Sequence, residues 1–190
     1  MVTVAQYNAV MGTYTYRLLT VTDANGCVGV VTSPNTATVT VVPGRPDLTN
    51  SQFFTTTQIA TGGVIDEVVV LRNVGTAPTS GQISFTVSNY APITGLTLTP
   101  IAGGTHVTVG LDTYTISNGW TFTPATGTFT STNMIPAGGS NNIGIRITRG
   151  TPPNQGANGA VTQTTTIAGG TGGGEAPTTN NTISNTILKN

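Results

Sequence analysis

The chain has 190 residues, only 6% of them charged, and its six basic and six acidic residues cancel. A neutral chain with so few basic residues lacks the positive footprint that phosphate backbones attract, which argues against nucleic-acid binding. No apolar run is long enough to span a membrane, and the single cysteine, Cys27, excludes an internal disulfide bond.

The composition is dominated by small and β-branched polar residues. Threonine contributes 41 residues and glycine 25, and threonine is a strand residue whose hydroxyl keeps an exposed face wet without charge. Hydrophobic residues make up 36% of the chain and alternate with polar ones, which argues against disorder. Such charge-poor, threonine-rich β proteins are more typical of cell surfaces than of the cytoplasm, so we expect a secreted, extracellular protein.

The first residues, Met-Val-Thr-Val-Ala-Gln, lack the charged region and the apolar region of a signal peptide. Two interpretations follow. Either the protein is intracellular, or the chain is an internal fragment or mature form of a secreted protein. The organisation of residues 1–43 favours a fragment of a larger repeat protein.

Residues 1–43 contain three short alternating patterns. These patterns predict strands over 13–18, 27–31 and 36–41, and the turn at 23–26 ends in Asn-Gly, which supplies the positive φ of a hairpin. Three strands and a short N-terminal piece cannot close two facing sheets. We therefore expect this unit to be unable to fold alone.

A family resemblance covers residues 12–43. The run Gly-Thr-Tyr-Thr-Tyr at 12–16 and the turn Asp-Ala-Asn-Gly-Cys at 23–27 resemble the C-terminal half of immunoglobulin-like repeats in surface adhesins and gliding-associated proteins of Bacteroidetes. In such repeats the cysteine often has a partner on an earlier strand, so the resemblance implies that the front half of the unit is missing. The alternative for Cys27 is a buried free thiol.

Two prolines in four residues, Pro43 and Pro46, mark a boundary. Proline ends a strand and stiffens a short linker. The sequence therefore predicts a partial immunoglobulin-like unit over 1–43, a linker over 44–46 and a second domain over 47–190.

The second domain is organised around the stretch 64–87. Its apolar run at 68–71 is typical of a strand that is buried on both faces. After a Gly/Pro loop, Ile83, Phe85 and Val87 alternate with polar residues and predict a strand with one dry face. A lone hairpin is barely stable in water, so further strands must supply a facing sheet.

Short alternating segments continue along the chain, and none has a convincing helical period. The predicted strands span 49–59, 64–73, 81–89, 96–101, 106–110, 113–117, 120–123, 127–132, 142–148, 160–167 and 182–188. Strands this closely spaced, with turn signals such as Asn118-Gly119 between them, predict a sandwich or a barrel. The segments 150–159 and 169–178 show no pattern, and we expect them to be mobile loops.

The predicted core residues share inward positions on these strands. They are Val68, Val70, Ile83, Phe85, Val87, Leu96, Leu98, Tyr114, Ile116, Trp120, Phe122, Ile143, Ile145, Ile147, Ile183 and Ile187.

A second resemblance covers residues 46–190. The motifs Pro-Asp-Leu-Thr at 46–49, Asn-Val-Gly at 73–75, Ile-Pro-Ala-Gly at 135–138 and Asn-Asn-Thr-Ile-Ser-Asn at 180–185 follow one another in order. Together they resemble the conserved-repeat β-sandwich of bacterial and archaeal surface proteins, which is akin to the cell-adhesion-related domain. The resemblance implies an immunoglobulin-like sandwich that serves as a spacer or adhesive module.

The titratable residues form no catalytic or metal-binding pattern. His106 is the only histidine and alternates with Val107 and Val109, so we expect it in a solvated strand position. Asp66 and Glu67 are adjacent, and because neighbouring strand residues point to opposite faces, the two carboxylates cannot act jointly.

Three further side chains bear on chemistry or binding. The only lysine, Lys189, lies at the tail, which argues against a Lys–Asn isopeptide cross-link of the kind found in some pilins. Trp120 and Phe122 are predicted to anchor the core, and a sugar-binding platform is the alternative. We predict no catalytic, cofactor-binding or metal-binding residues.

The sequence as a whole predicts an all-β, immunoglobulin-like β-sandwich preceded by a partial immunoglobulin-like unit. The expected function is that of a non-catalytic structural or adhesive module of a secreted bacterial cell-surface protein. The alternatives are a subunit of an extracellular filament assembled by strand donation and a carbohydrate-binding module. The expected partners are neighbouring immunoglobulin-like domains of the same or another chain and, in the last case, a surface glycan.

Overall fold

The computed structural model describes residues 10–90 and 94–190. The chain forms two compact units, residues 1–44 and residues 45–190. Strands make up nearly all the regular structure of the described residues, and the helix among them has only four residues. The prediction of an all-β protein is therefore confirmed.

The first unit consists of short paired strands. They are β1 (Gly12–Arg17), β2 (Val21–Thr22), β3 (Val28–Gly29) and β4 (Thr36–Val41). Strand β1 pairs antiparallel with β4, and β2 pairs antiparallel with β3. The turn between β2 and β3 is held by the Asp23 carboxylate, which accepts the backbone N–H groups of Asn25 and Cys27, both at 2.9 Å. The return strand predicted over 27–31 is shortened to the two residues of β3.

No residue between 10 and 44 is buried. The large hydrophobic side chains that this unit exposes are Val10, Met11, Leu18, Leu19, Val21, Val28, Val30, Val39 and Val42. Cys27 is also exposed, so the alternative of a buried free thiol is wrong. The alternating pattern located β1 and β4, but it did not guarantee that either strand has a core to face.

Strands form nearly all the regular structure of the second unit. Its elements are β5 (Leu48–Phe54), β6 (Gln58–Ile59), β7 (Val64–Asn73), β8 (Ile83–Val87), β9 (Leu96–Pro100), β10 (His106–Val109), β11 (Asp112–Thr115), β12 (Thr121–Thr123), β13 (Thr128–Ser131), β14 (Ser140–Arg149), β15 (Gly159–Ile167), α1 (Thr171–Gly174) and β16 (Thr182–Lys189). One sheet has the order β5-β7-β14-β9, and the other has the order β12-β13-β8-β15-β16-β6. Strands β10 and β11 form a separate hairpin.

One hydrophobic core takes its side chains from both sheets. Its buried members are Leu48, Ile59, Ile65, Val69, Leu71, Ile83, Phe85, Val87, Leu96, Leu98, Phe129, Ile135, Ile143, Ile145, Ile147, Ile167 and Ile187. Within the six-stranded sheet, Phe129 stacks on Phe85, with ring centroids 5.0 Å apart, and on Phe122, with ring centroids 4.5 Å apart. Because the buried side chains come from both sheets, the core holds the two sheets face to face.

Strand β7 is buried on both faces, as its apolar run predicted. Val69 enters the main core, whereas Val68 packs with Val107 and Ile116 in a smaller cluster on the outer side of the four-stranded sheet. The β10–β11 hairpin supplies that second cover. A strand with two covered faces needs apolar residues at consecutive positions, which accounts for the unbroken run.

Some predicted core positions and one predicted strand need correction. Val70, Tyr114, Trp120, Phe122 and Ile183 are half-buried rather than buried. Val70 and Tyr114 pack around the outer cluster, and Trp120 and Phe122 pack against the main core from the β12 edge of its sheet. Side chains at the border of a cluster or at the edge of a sheet are covered on one side only, which accounts for their partial exposure.

The strand predicted over 49–59 is divided in two. Its second part, β6, leaves the four-stranded sheet and pairs in parallel with β16 of the other sheet. The segment 169–178, which we expected to be a mobile loop, contains α1 and the buried side chains of Thr171 and Glu175. The Thr171 hydroxyl accepts the Ser84 N–H at 2.7 Å, which fastens this segment to β8.

Candidate functional site

Two adjacent acidic residues on β7 point to opposite sides of the four-stranded sheet. Asp66 accepts two hydrogen bonds from the Arg146 guanidinium on β14, at 2.8 and 2.9 Å. Glu67 is completely buried on the inner side. The two carboxylates therefore do not share a site, which follows from the alternation of side chains along a strand.

Glu67 belongs to a group of polar side chains that joins the two sheets. We call this group the inter-sheet cluster and define it as Gln52, Glu67, Gln163, Thr165 and Asn185. The first two residues lie on β5 and β7 of the four-stranded sheet, and the other three lie on β15 and β16 of the six-stranded sheet. Gln52, Gln163 and Thr165 are 8%, 2% and 0% exposed, and Asn185 is half-buried.

Strand geometry brings these five side chains together. Gln163 and Thr165 are two residues apart on β15, so they share one face. Asn185 lies directly opposite Gln163 in the β15–β16 register. Gln52 and Glu67 are diagonal neighbours in the β5–β7 register. The cluster therefore needs no loop and is positioned entirely by the two sheets.

Three of the four hydrogen bonds of the cluster run from one sheet to the other, and the bond between Gln52 and Glu67 lies within the four-stranded sheet. Gln52 Nε2 donates to Glu67 Oε1 at 3.0 Å and to Thr165 Oγ1 at 2.6 Å. Gln163 Nε2 donates to the other carboxylate oxygen, Glu67 Oε2, at 3.0 Å. Asn185 Nδ2 donates to Gln52 Oε1, also at 3.0 Å. The Gln52 carboxamide is thus engaged at both its nitrogen and its oxygen.

The buried carboxyl of Glu67 has an unusual affinity for its proton. Burial raises the pKa of Glu67 from 4.5 to about 8, because water no longer solvates the charged form. The hydrogen bonds from Gln52 and Gln163 favour the charged form and offset only part of this effect. A carboxyl that gains and loses its proton near neutral pH is suited to general acid–base chemistry.

A second buried polar group fastens the segment that follows β15. Asn50 Nδ2 donates to the carbonyl oxygens of Thr165 at 3.0 Å and Asn181 at 3.3 Å. Asn181 Nδ2 donates to Glu175 Oε2 at 3.0 Å and to the Ile167 carbonyl at 3.2 Å. Burial raises the pKa of Glu175. Most acceptors here are backbone carbonyls, so the group positions the chain.

Two cationic side chains are buried against neutral oxygen atoms. Arg149 is 1% exposed and donates to the Ile59 carbonyl at 3.3 Å and to Asn158 Oδ1 at 2.6 Å. Lys189 is buried within β16 instead of lying in a free tail, and its ammonium donates to the Thr94 carbonyl at 2.6 Å. Burial, and then the charge of Arg149, lowers the pKa of Lys189.

The remaining residues singled out from the sequence do not join the cluster. His106 is exposed on β10. Trp120 packs edge-on against Phe85, with ring centroids 5.5 Å apart, and the Phe122 ring lies on the core, as expected of anchoring residues. Phe122 also borders a cleft of about 430 Å³, together with Tyr90.

Neither a search for metal-binding groups nor comparison with known proteins assigns a function to the chain. Within residues 10–90 and 94–190, no group of three or more His, Cys, Asp or Glu side chains is arranged to hold a metal ion. In the same part of the chain, no helix is long and apolar enough to cross a membrane. No protein-family model matches the chain, and the search of curated proteins finds no match. The inter-sheet cluster must be interpreted from its own geometry.

Sequence reasoning missed the inter-sheet cluster. One signal was available, since Glu67 occupies the same alternate positions of its strand as Ile65 and Val69, and an acidic residue on an apolar face is rarely buried without polar partners. Gln52, Gln163 and Thr165 gave no signal, because they lie among other polar residues in threonine-rich strands.

Proposed function

We propose that the chain is a non-catalytic structural or adhesive module of a secreted bacterial cell-surface protein. The observation that carries the proposal is the contrast between the two units. Residues 45–190 enclose a core between two sheets, whereas residues 10–44 expose their large apolar side chains and bury none. Strands of a neighbouring immunoglobulin-like domain, in the same or another chain, would cover that apolar surface.

The order of strands supports an immunoglobulin-like β-sandwich for the second unit. With β5, β7, β8, β9, β14, β15 and β16 taken as strands A to G, the four-stranded sheet has the order A-B-E-D. The neighbours β8, β15 and β16 give the order C-F-G in the other sheet. The β12–β13 hairpin extends this second sheet beyond β8, and β6 extends it beyond β16.

Hydrogen exchange on the 190-residue protein tests the proposal. We expect strong protection of β7, β14 and β15, and little protection of β1 and β4, because few contacts oppose local opening in the first unit. Linking a neighbouring immunoglobulin-like domain of the parent protein to residue 1 is expected to protect β1 and β4. Strong, concentration-independent protection of β1 and β4 without that domain would contradict the proposal.

A filament subunit is the second candidate, and the pairing of the first unit favours it. Among the described elements, strand β4 pairs with β1 alone, so its other edge is available to a strand from another molecule. In that case protection of β1 and β4 rises with protein concentration, and sedimentation velocity shows growing polymers. A protein that stays monomeric across the same concentrations excludes the filament.

A further inference from the structure

We propose that Thr165 and Gln52 form an intramolecular ester cross-link between the two sheets of the second unit, with Glu67 as the acid–base group. The three side chains bring a hydroxyl, a carboxamide and a carboxyl together in a buried site. Each chain reacts once, so the module does not become a turnover enzyme. The inference concerns chemistry inside the fold and is independent of the proposed surface role.

The hydroxyl oxygen stands next to the carbon that it attacks. Thr165 Oγ1 lies 2.6 Å from Gln52 Nε2. The amide carbon is about 1.3 Å from that nitrogen, so the attacking oxygen is at most about 4 Å from the carbon. Proximity reaches effective concentrations of about 10⁵–10⁸ M when the reacting groups are also aligned, which here requires the Thr165 hydroxyl to turn onto the face of the Gln52 amide.

Glu67 is placed to move the proton. Its Oε1 lies 3.0 Å from Gln52 Nε2, the same nitrogen that contacts the Thr165 hydroxyl. Both groups contact the Gln52 nitrogen, so the hydroxyl proton reaches Glu67 by way of that nitrogen. Burial holds the pKa of Glu67 near 8, so the carboxyl is able to take up this proton and return it to the departing nitrogen. Gln163, bonded to the other carboxylate oxygen at 3.0 Å, fixes the orientation of the carboxyl group.

Asn185 is placed to stabilise the negative charge that develops during acyl transfer. Attack on the Gln52 carbon moves negative charge onto Gln52 Oε1. That oxygen already accepts a hydrogen bond from Asn185 Nδ2 at 3.0 Å, so a donor is in place where the charge develops. Asn185 touches the reacting carboxamide without exchanging a proton.

The reaction balances without any co-reactant. The Thr165 Oγ1–H bond and the Gln52 Cδ–Nε2 bond break, and a bond forms between Thr165 Oγ1 and Gln52 Cδ. The hydroxyl proton passes through Glu67 to the nitrogen, which leaves as ammonia, and Glu67 returns to its starting state. Ammonia is lost to bulk solvent, where protonation removes it from the reverse reaction. The buried position of the new ester keeps hydrolytic water away.

The competing interpretation is a hydrogen-bond network that never reacts. Buried polar networks also specify how sheets pack, and such a role needs no covalent change. The two interpretations differ in the mass of the protein, because the cross-link removes one molecule of ammonia from the chain and a network removes nothing.

The first experiment is intact mass spectrometry of the full chain under denaturing conditions. After incubation at neutral and mildly alkaline pH, we expect the mass to be lower than the sequence mass by one ammonia molecule. Trypsin should then yield a joined pair of peptides, 18–72 and 150–189, since cleavage between Arg45 and Pro46 is blocked. Hydroxylamine should separate the pair, because it cleaves an ester and leaves an isopeptide intact. A wild-type chain that keeps its full mass after long incubation overturns the proposal.

Three variants assign the roles. Thr165→Ser retains a hydroxyl and should still lose ammonia, whereas Thr165→Val should keep the full mass. Glu67→Gln preserves the shape of the cluster and should slow the loss of ammonia at least 100-fold, the usual contribution of acid–base catalysis. Circular dichroism of each variant shows whether it is folded. Ammonia loss at the wild-type rate in folded Thr165→Val or Glu67→Gln would show that these residues do not react.

Discussion

The two units of this chain share one sequence pattern and differ in what covers it. In β8 of the second unit, Ile83, Phe85 and Val87 alternate with polar residues, and all three are buried. In β4 of the first unit, Ala37 and Val39 occupy equivalent alternating positions and are exposed. The pattern defines an apolar face in both cases. Burial requires in addition a second sheet against that face, and only the second unit has two facing sheets within the described residues.

The largest expected effect comes from separating the two units. Residues 45–190 should fold alone, with a melting temperature close to that of the full chain, because the core draws on no residue before Leu48. Residues 1–44 alone should show no cooperative transition, since they lack a buried core. Far-UV circular dichroism with a thermal melt measures both. A helical spectrum, or no transition, for residues 45–190 would contradict the first expectation.

Matched truncations of apolar side chains sharpen the comparison at single positions. Ile83 is completely buried, so Ile83→Ala should lower the free energy of unfolding by about 2–5 kcal/mol. Val39 is 49% exposed, so Val39→Ala should change it by no more than about 0.5 kcal/mol. Urea titrations at equal protein concentration provide both values. A large cost for Val39→Ala would mean that the first unit has a core of its own in solution.

The buried carboxyl of Glu67 in the second unit should make the free energy of unfolding depend on pH, which is a smaller effect. The pKa of Glu67 is about 8 in the folded chain, against an ordinary value of 4.5. Between these values the folded state holds a proton that the unfolded state has released, so stability falls as pH rises. The slope is at most about 1.4 kcal/mol per pH unit, and this contribution is constant below pH 4.5.

Urea titrations across pH 4.5–8 measure this slope. Glu67→Gln should make the slope shallower, because the cluster side chains that face Glu67, from Gln52, Gln163, Thr165 and Asn185, do not titrate. Glu175, whose pKa burial also raises, keeps a slope of the same sign in this variant. An unchanged slope in Glu67→Gln would show that this carboxyl is not the source of the pH dependence.

The sequence predicted the strands better than their partners. Alternation located β8 and β14, and the unbroken apolar run of β7 correctly indicated two covered faces. It did not show that β6 would cross to the other sheet, because a two-residue strand has no period to detect. Phe129 and Ile135 were missed as core residues, since their apolar side chains stand among threonine, proline and glycine with no repeated pattern.

The inter-sheet cluster could not be predicted for a different reason. Gln52 and Thr165 are 113 positions apart in the chain, and only the packing of two sheets brings their side chains together. Each of them, taken alone, resembles a solvated strand residue. An acidic residue on the apolar face of β7 was a local anomaly at Glu67, but its partners depend on tertiary structure.

The smallest expected effect concerns Cys27, whose thiol reports on the first unit alone because the chain has no other cysteine. The thiol is exposed beside the Asp23 turn, so it should react with an aromatic disulfide reagent at nearly the same rate in buffer and in denaturant. Cys27→Ser should change the free energy of unfolding by no more than about 0.5 kcal/mol, since no packing is lost. A neighbouring domain that completes the first unit should slow the reaction, because strands added beside β3 would cover the thiol. If the thiol of the isolated chain reacts only after denaturation, the first unit already buries its Cys27 side chain. The two units would then differ in the size of their cores, and the first would not lack a covering sheet.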